Sequence, residues 1–421
     1  MKQIRVVVES LGCKLNQAEA ELFGRQLSEA GYRLVSSAGE ADVYILNTCT
    51  VTHVADRKSR HLLRMVHRLN TDVRLVAVGC YAEQAPEELA QIEGVALVLG
   101  NEDKTHLAQK LAESGCLNGL PSRNIDGCVY NSHRTRSFIK VQEGCYNFCA
   151  YCIVPMVRRG EKSVPAEQVI AEVRQQVAAG FKEVVLTGTR IGAYNSGNVN
   201  LKDLLERILA ETEIARLRLS SLQPQELSPE LIRLWHDTRL CPHFHMSLQS
   251  GSGEVLGRMK RRYSATEYRQ AVSMIREVVP EAAITTDIIV GFPGETEAEF
   301  QESHDFCRQM EFARVHVFSY SLRRGTEAAR MDNQVGAQVK KQRSRQMLAL
   351  ARESAKNFYQ RFLGRTMPVL WEQKTGGVWS GLTGSYIKVY TRDKQDLTNQ
   401  LVPVRLKAIR DDGLWGGAAG E

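Results

Sequence analysis

Short apolar stretches alternate with amphipathic stretches along the first hundred residues. IRVVVESLG, DVYILNTC, VRLVAVGC and VALVLG alternate or run apolar over strand lengths, which predicts four strands. Between them, residues 16–30, 55–69 and 87–92 carry apolar residues at helical spacing, and Gly31 predicts the end of the first helix. Alternating strands and helices of this kind predict a parallel sheet with helices on its faces.

The same alternation resumes near Arg136 and continues to about Tyr320. FIKVQ, EVVLTG, RLRLSS, HFHMSLQ, AAITTDIIVG and RVHVFSY predict six further strands. Amphipathic stretches predict the helices that separate them, at residues 166–179, 201–212, 229–236, 265–278 and 297–310. Six strand–helix repeats predict a partial (β/α)6 barrel of the TIM type, because a closed barrel needs eight.

Two changes along the chain predict the domain boundaries. Residues 104–135 include the turn-rich run LNGLPSRNIDG and no clear periodicity, which indicates a connecting region. After Gly364, short apolar stretches separated by glycine turns predict a small all-β barrel. We therefore predict an α/β chain of three domains: a parallel-sheet domain at 1–110, a partial barrel at 131–362 and an all-β barrel at 364–421.

Composition narrows the class of protein and its compartment. The chain has 421 residues, of which 43% are hydrophobic and 24% charged, as in ordinary globular proteins, and its formal net charge is +7. Its start lacks the apolar run of a signal peptide, and no apolar run is long enough to cross a membrane. We expect a cytoplasmic protein, whose ten cysteines bind metal or lie buried and form no disulfides.

Three cysteines stand together directly after the first strand of the predicted barrel. In FIKVQEGCYNFCAYCIVP, Cys145, Cys149 and Cys152 follow a C-x3-C-x2-C spacing. Three thiolates on one loop can hold a 4Fe–4S cluster and leave its fourth iron open to the amino and carboxylate groups of S-adenosylmethionine. The alternative is a structural zinc site, which prefers four protein ligands, and no fourth cysteine or histidine lies nearby in the sequence.

A second set of cysteines follows three strands of the predicted N-terminal sheet. Cys13 in LGCKLN, Cys49 in NTCTVT and Cys80 in VGCYAE each come just after a strand. Parallel strands end at one edge of a sheet, so these thiolates can converge on a second cluster, although a single strand-end cysteine is more often only buried. The other four cysteines share no such placement and are interpreted as structural. They are Cys116, Cys128, Cys241 and Cys307.

These motifs together resemble the methylthiotransferase family of radical S-adenosylmethionine enzymes. That family combines a three-cysteine N-terminal domain, a radical S-adenosylmethionine core and a C-terminal TRAM barrel, and the resemblance covers essentially the whole chain. It is carried by LGCKLNQAEAE, NTCTVTHVADRKSR, GCYAEQAPEEL, EGCYNFCAYCIVP, HFHMSLQSGSGEVLGRMKRRY, TTDIIVGFPGETEAEF and VFSYSLRRGTEAARM. The chain is most similar to the threonylcarbamoyladenosine branch. The isopentenyladenosine branch typically has isoleucine–arginine–glutamate where this chain has Thr50-Val51-Thr52, and the ribosomal-protein branch differs there as well.

The resemblance implies an enzyme that adds a methylthio group at C2 of N6-threonylcarbamoyladenosine at position 37 of tRNA, next to the anticodon. It implies two 4Fe–4S clusters, both catalytic. The cluster on Cys145, Cys149 and Cys152 would reduce S-adenosylmethionine to a 5′-deoxyadenosyl radical, and the strand-end trio would present the sulfur. The implied partners are the tRNA anticodon stem–loop, a reducing electron donor and a sulfur donor, and we expect a monomer.

The sequence leaves other functions open. Methylthiolation of isopentenyladenosine in tRNA, or of a ribosomal-protein aspartate, would use the same cofactors on another substrate. A non-catalytic iron–sulfur protein that binds RNA belongs to a different class, although such a protein has no need of an open iron.

Residues at strand ends are candidate contacts for S-adenosylmethionine. By the resemblance, Tyr151 lies near the adenine of this cofactor. Thr187 and Gly188 end the strand VVLTG, where a glycine lets backbone approach a ligand. Gln249 and Ser250 end another strand; turn formation is the simpler alternative for all such residues.

The loop after the cysteine triplet departs from the family pattern. Arg158 and Ser163 keep their places, but the glycine is shifted to Gly160 and Val164 stands in place of an arginine. The pattern therefore assigns no detailed role to this loop.

Three stretches are candidate contacts for RNA. Residues 340–365 carry eight Lys and Arg against one acid, Glu353, although a solvated helix face explains that equally well. The basic helix at 57–68 is a second candidate. In the predicted barrel, aromatic residues alternate with Lys388 and Arg392, which is compatible with stacking on unpaired bases, although about half should be core. These aromatics are Trp371, Trp379, Tyr386, Tyr390 and Trp415.

Overall fold

The computed structural model describes residues 3–117 and 135–418. The chain forms two compact units. The first unit comprises Met1–His133, Glu143–Glu161 and Ser321–Ala329, and the second comprises Arg134–Gln142, Lys162–Tyr320 and Arg330–Glu421. Within the described ranges, no helix combines the length and the apolar character that a membrane span needs. The three-domain division at 1–110, 131–362 and 364–421 stays a prediction.

The first unit contains a five-stranded sheet in the order β2-β1-β3-β4-β5, in which all neighbours are parallel. Its strands are β1 (Arg5–Ser10), β2 (Arg33–Leu34), β3 (Val43–Thr48), β4 (Arg74–Gly79) and β5 (Val95–Leu99). Its helices are α1 (Lys14–Glu29), α2 (His53–Leu69), α3 (Cys80–Gln84), α4 (Pro86–Ala90), α5 (Leu107–Glu113) and α6 (Val154–Val157). The predicted parallel sheet is confirmed.

Strand β3 shows why this sheet is covered on both faces. Val43 and Ile45 pack into one apolar cluster, and Tyr44 and Leu46 pack into another. Successive side chains of a strand point to opposite faces, so a strand that is buried along its whole length fits only between two layers of helices.

The second unit contains two four-stranded sheets, β11-β8-β6-β7 and β12-β13-β14-β15. Its main strands are β6 (Arg136–Glu143), β8 (Glu183–Gly188), β11 (Arg216–Leu219), β13 (His243–Met246), β14 (Ala283–Val290) and β15 (Arg314–Ser319), with short strands β7 (Lys162–Ser163), β9 (Asn195–Ser196), β10 (Val199–Asn200) and β12 (Ser221–Leu222). The six main strands match the six predicted ones, and the pairs β6–β8, β8–β11, β13–β14 and β14–β15 are parallel. The partial barrel is confirmed.

Helices of the second unit lie between these strands and after them. They are α7 (Ala166–Ala178), α8 (Leu201–Glu211), α9 (Pro229–Arg233), α10 (Gly253–Arg258), α11 (Ala265–Val278), α12 (Glu297–Gln309) and α13 (Ala337–Gln360). The basic stretch at 340–365 is therefore mostly helix α13. It is not solvated all round, because Arg343, Met347, Leu350 and Phe358 are buried on one face.

The C-terminal strands close into a five-stranded barrel in the order β16-β17-β18-β20-β19. They are β16 (Thr366–Thr375), β17 (Val378–Thr383), β18 (Lys388–Thr391), β19 (Leu401–Arg410) and β20 (Gly413–Ala418). Trp371 and Trp379 belong to the barrel core, which also includes Ala283 and Ala313 from the β14 and β15 region. The predicted all-β barrel is confirmed, and two of its five aromatic residues are core.

One helix lies where a connection without periodicity was expected. Helix α5 is anchored by Leu107 and Leu111, which stand one helical turn apart and are buried in the first unit. Two anchors in seven residues give too little periodicity to be recognised in the sequence. Cys116, Cys241 and Cys307 are buried, as interpreted, whereas Cys128 lies outside the described residues.

Candidate functional site

Three neighbouring strands of the parallel sheet lead to the strand-end cysteines. Strands β1, β3 and β4 are adjacent, and they are followed by Cys13, Cys49 and Cys80. In this strand order the winding reverses between β1 and β3, and sheets of this type bind ligands at such a point, beyond the carboxyl ends of the strands. The strand order therefore agrees with the prediction that the loops after these three strands lie at one edge of the sheet.

Glycines allow the cysteine-bearing loops to approach each other. Gly12 has φ of +98°, and a Cβ atom there would lie 2.5 Å from the Cβ of Cys49. Gly79, before Cys80, has φ of +95°. Both conformations favour glycine, and any side chain at Gly12 would separate Cys13 from Cys49.

The three strand-end thiols lie close enough together to influence one another electrostatically. Burial raises the pKa of Cys49 to about 12, and the neighbouring Cys13 and Cys80 thiols raise it as well. A buried thiol of this kind keeps its proton until a cation replaces it, because thiolates are the metal-binding form. Cys13 is exposed, whereas Cys49 and Cys80 are buried.

The other three cysteines lie on the loop between β6 and α6, also in the first unit. The amide of Asn147 donates to Sγ of Cys145 at 3.4 Å, and the amide of Cys152 donates to the carbonyl of Cys149 at 2.9 Å. Phe148 has φ of +45°, which is unusual for a non-glycine residue and is typical of functional loops. A Cβ atom on Gly144 would overlap the carbonyl of Gly160, so the start of this loop requires a glycine.

The donor sets fit iron–sulfur clusters by their chemistry. Each trio offers three thiols, which are the ligands such clusters use. No three His, Cys, Asp or Glu side chains in residues 3–117 and 135–418 close around a single metal ion. A 4Fe–4S cluster takes each thiolate on a different iron, so its ligands stand further apart than those of one ion.

A buried arginine joins the two cysteine-bearing regions of the first unit. Arg158 follows Cys152 in sequence by one short helix, and its Nε donates to Sγ of Cys80 at 3.2 Å. Ile153 and Val157 pack with Cys80 in one apolar cluster. Sequence reasoning gave this loop no role, and the only signal was that Arg158 kept its place in the family pattern.

The candidate S-adenosylmethionine contacts are divided between the units. Tyr151 belongs to the first unit, and the other four belong to the second. Thr187 is buried at the end of β8, where a Cβ atom on Gly188 would lie 2.8 Å from the carbonyl of Gln142. Gln249 has φ of +71° and bridges to β14 by backbone hydrogen bonds, and Ser250 is buried beside it. Their contact roles stay predictions.

A polar cluster lines the neighbouring strands of the second unit. Asp287 accepts hydrogen bonds from Ser247 Oγ at 3.0 Å and from His245 Nε2 at 3.2 Å. Burial favours a raised pKa for Asp287, but His245, His316 and Ser247 together outweigh burial and lower the pKa. His245 lies on the adjacent strand β13, and Ser247 directly follows that strand.

The candidate RNA contacts differ in how exposed they are. Helix α2 exposes cationic side chains, and its single carboxylate, Asp56, is buried. Tyr386 is stacked on His243 at 4.5 Å and is therefore already part of the packing. In contrast, the guanidinium of Arg410 lies 4.7 Å from the ring of Tyr390 and 5.2 Å from that of Trp415, and all three are only half-buried.

Two family models match the chain. The model described as "Uncharacterized protein family UPF0004" matches residues 5–100, and the model described as "Radical SAM superfamily" matches residues 139–307. The first match includes the strand-end cysteines and the second includes the C-x3-C-x2-C loop.

Solved structures share the fold. The radical S-adenosylmethionine methyltransferase TsrM from Kitasatospora setae, solved with cobalamin and a 4Fe–4S cluster bound, has a TM-score of 0.57 at 15% identity. The alignment covers 78% of this chain and 77% of that one. At this identity the similarity shows the fold alone.

Curated relatives match over nearly the whole chain. The threonylcarbamoyladenosine tRNA methylthiotransferases MtaB of Bacillus subtilis and Thermotoga maritima are 36% and 35% identical, over 95% and 98% of this chain and 93% and 96% of theirs. The tRNA-2-methylthio-N(6)-dimethylallyladenosine synthase of Endomicrobium trichonymphae is 30% identical over 97% of this chain and 99% of its own. The chain therefore belongs to the radical S-adenosylmethionine family of tRNA methylthiotransferases, which use 4Fe–4S clusters and S-adenosylmethionine.

Proposed function

We propose that the substrate is N6-threonylcarbamoyladenosine at position 37 of tRNA, and that the product carries a methylthio group at C2 of this base. The observation that carries the proposal is the difference between relatives. Five relatives named for threonylcarbamoyladenosine are 34–37% identical to this chain, whereas three named for dimethylallyladenosine are 30–33% identical.

The branch-specific segment after Cys49 supports the same choice. Thr50 is fully buried, and its hydroxyl donates to Asp56 and accepts from Arg323, each at 2.7 Å. The isoleucine that the isopentenyladenosine branch carries in this run has no hydroxyl, so it could not make these two bonds.

We assign Cys145, Cys149 and Cys152 as ligands of one 4Fe–4S cluster and Cys13, Cys49 and Cys80 as ligands of the other. When bound, the first cluster supplies the electron that cleaves S-adenosylmethionine, and the second supplies an iron on which sulfur is held. A radical route suits the substrate, because the C2–H bond of adenine has no proton that an acid or base removes usefully at neutral pH.

In this proposal the protein's own residues position the cysteine loops, S-adenosylmethionine and the tRNA. The glycines at 12, 79 and 144 let the cysteine loops reach their positions, and the buried hydrogen bonds around Cys80 hold its side chain. Tyr151, Thr187, Gly188, Gln249 and Ser250 are proposed to position S-adenosylmethionine. Three separate candidate contacts for the tRNA anticodon stem–loop are proposed: the exposed face of α2 in the first unit, and in the second unit α13 and the Tyr390–Arg410–Trp415 patch. A reducing electron donor, a sulfur donor, a cytoplasmic location and a monomeric state complete the proposal.

Nucleoside mass spectrometry of tRNA tests the substrate. A strain that lacks the gene should lose 2-methylthio-N6-threonylcarbamoyladenosine and accumulate its precursor without the methylthio group. A plasmid with the intact gene should restore the product, and the same plasmid with Cys145→Ala should not. If the strain instead loses the methylthiolated isopentenyl nucleoside, the substrate is isopentenyladenosine. If its tRNA is unchanged and a ribosomal-protein aspartate is left unmodified, the substrate is that protein.

A further inference from the structure

Arg158 is buried in the first unit although it carries a permanent charge. Only 3% of its surface is exposed, and arginine is rarely buried so deeply unless it is paired. Its Nη1 and Nη2 atoms donate to the carboxylate of Glu19 at 2.8 and 3.0 Å, and Nη2 also donates to Oδ1 of Asn16 at 2.8 Å. Nη1 also lies 3.7 Å from the carboxylate of Glu143, and Nε donates to Sγ of Cys80 at 3.2 Å.

A second buried cation shares the same carboxylate. Lys104 Nζ donates to Oε2 of Glu19 at 2.8 Å and to Oδ1 of Asn101 at 2.5 Å. The amide nitrogen of Asn101 lies 3.8 Å from Sγ of Cys80 and donates to the carbonyl of Val157. Two side chains therefore donate to one sulfur, and both are held by partners of their own.

The hydrogen bonds from Arg158 and Asn101 would be weak if Cys80 were always a neutral thiol. A thiol is a weak acceptor, and a buried guanidinium N–H needs a good one. A thiolate bound to iron is such an acceptor, because the hydrogen bond is then charge-assisted. The simpler alternative is that the network only stabilises the fold. Glu19 alone would be enough for that, because it pairs both buried cations, so this alternative does not explain why two donors are directed at Cys80.

We propose that Arg158 and Asn101 raise the reduction potential of the cluster held by Cys13, Cys49 and Cys80, by donating hydrogen bonds to Sγ of Cys80. The reduced cluster carries one more negative charge, which hydrogen bonds to a ligand sulfur and a nearby cation stabilise. Glu19 and Lys104 are positioning residues, because they hold the two donors in place. This inference rests on the cluster assignment made under the proposed function.

The test uses the full chain with Cys145, Cys149 and Cys152 replaced by alanine, so that only the strand-end trio can hold a cluster. The anaerobically reconstituted protein is titrated with dithionite in the presence of mediators, and the one-electron reduction is followed by electron paramagnetic resonance. Adding Arg158→Met should shift the midpoint to a lower potential with unchanged iron content. Arg158→Lys keeps the charge but loses the planar fork, so it should shift the midpoint less.

The control is Arg343→Met, which removes another buried arginine, paired with Glu295 at 2.8 Å in the second unit. It should leave the midpoint where it was. An unchanged midpoint and spectrum in both Arg158 variants, with full iron, would overturn the inference but leave the cluster assignment standing. If the Arg158→Met protein binds no iron, the Arg158→Lys protein alone is used: a lowered midpoint supports the inference, and an unchanged midpoint and spectrum with full iron overturn it. A parent protein that binds no cluster would overturn the assignment itself, and the inference with it.

Discussion

Arg323 and Asp56 form a buried ion pair, with Nη1 of Arg323 2.7 Å from Oδ2 of Asp56, between residues 267 positions apart in the sequence. Asp56 stands in the first turn of α2, just after the Cys49 loop, and Arg323 lies in the Ser321–Ala329 segment of the first unit. Ala328 of that segment donates its amide to the carbonyl of Ala150, between Cys149 and Cys152. Because Arg323 also donates to Thr50, the residue after Cys49, this short segment contacts a loop from each cysteine trio.

Asp56→Asn should destabilise the protein by about 3 kcal/mol, because breaking a buried ion pair leaves the other charge without compensation. The measurement is the urea-unfolding midpoint under anaerobic conditions. Glu230→Gln is the control, because the Arg233–Glu230 pair spans 3.4 Å and both side chains are more than half exposed. That exposed pair should contribute less than about 1 kcal/mol, and equal effects of the two substitutions would contradict the prediction.

Substitutions in the two cysteine trios should separate two activities. Cys145→Ala should abolish cleavage of S-adenosylmethionine, whereas Cys13→Ala should keep cleavage and lose thiolation, because the trios are assigned different clusters. The measurements are 5′-deoxyadenosine formed with dithionite as reductant and methylthio nucleoside formed on tRNA. Cys307→Ala, at a buried cysteine outside both trios, is the control. Equal loss of cleavage in both trio variants, with the other cluster intact, would refute the division of tasks.

Glu183 should make stability depend on pH in acid. Burial alone would raise its pKa, but Arg218 and Arg216 outweigh burial and lower it to about 2 from an ordinary 4.5. A carboxyl with a lowered pKa in the folded state contributes stability above its ordinary pKa, and this contribution disappears as pH falls toward the folded value. The free energy of unfolding of the wild type minus that of Glu183→Gln should therefore be constant from about pH 5 to 8 and shrink below about pH 4.5. A difference that stays constant down to about pH 3 would contradict this.

Trp415→Ala should weaken binding of the tRNA anticodon stem–loop about tenfold, because stacking of a base on an aromatic ring contributes about 1–3 kcal/mol. Fluorescence anisotropy with a labelled stem–loop measures this. Point substitution is preferable to deleting residues 364–421, because Arg216 and Arg218 donate to barrel carbonyls, which deletion would remove. Trp371→Phe is the control, since Trp371 is 1% exposed and cannot reach RNA. Wild-type affinity in a folded Trp415→Ala protein would exclude the patch from RNA binding.

Local signals in the sequence were sufficient for most of the fold. The strand β4 is an apolar run of strand length, the helix α11 at Ala265–Val278 has a period of about 3.6 residues, and both were predicted correctly. Helix α5 was missed because only two of its residues face the core. The basic stretch at 340–365 was ambiguous, because a pattern of charges does not reveal that Arg343 is buried and paired with the buried Glu295.

The sequence by itself determined which thiols are available and how they are spaced. C-x3-C-x2-C is a local pattern, and the strand-end cysteines follow from the rule that parallel strands end at a common edge. Only the tertiary structure decided which charges surround those thiols. Glu19, Lys104 and Arg158 are ordinary surface residues by type, and they became a buried network because distant segments pack together around Cys80. Burial is a property of the neighbours that a residue acquires on folding, and no local pattern in the sequence records it.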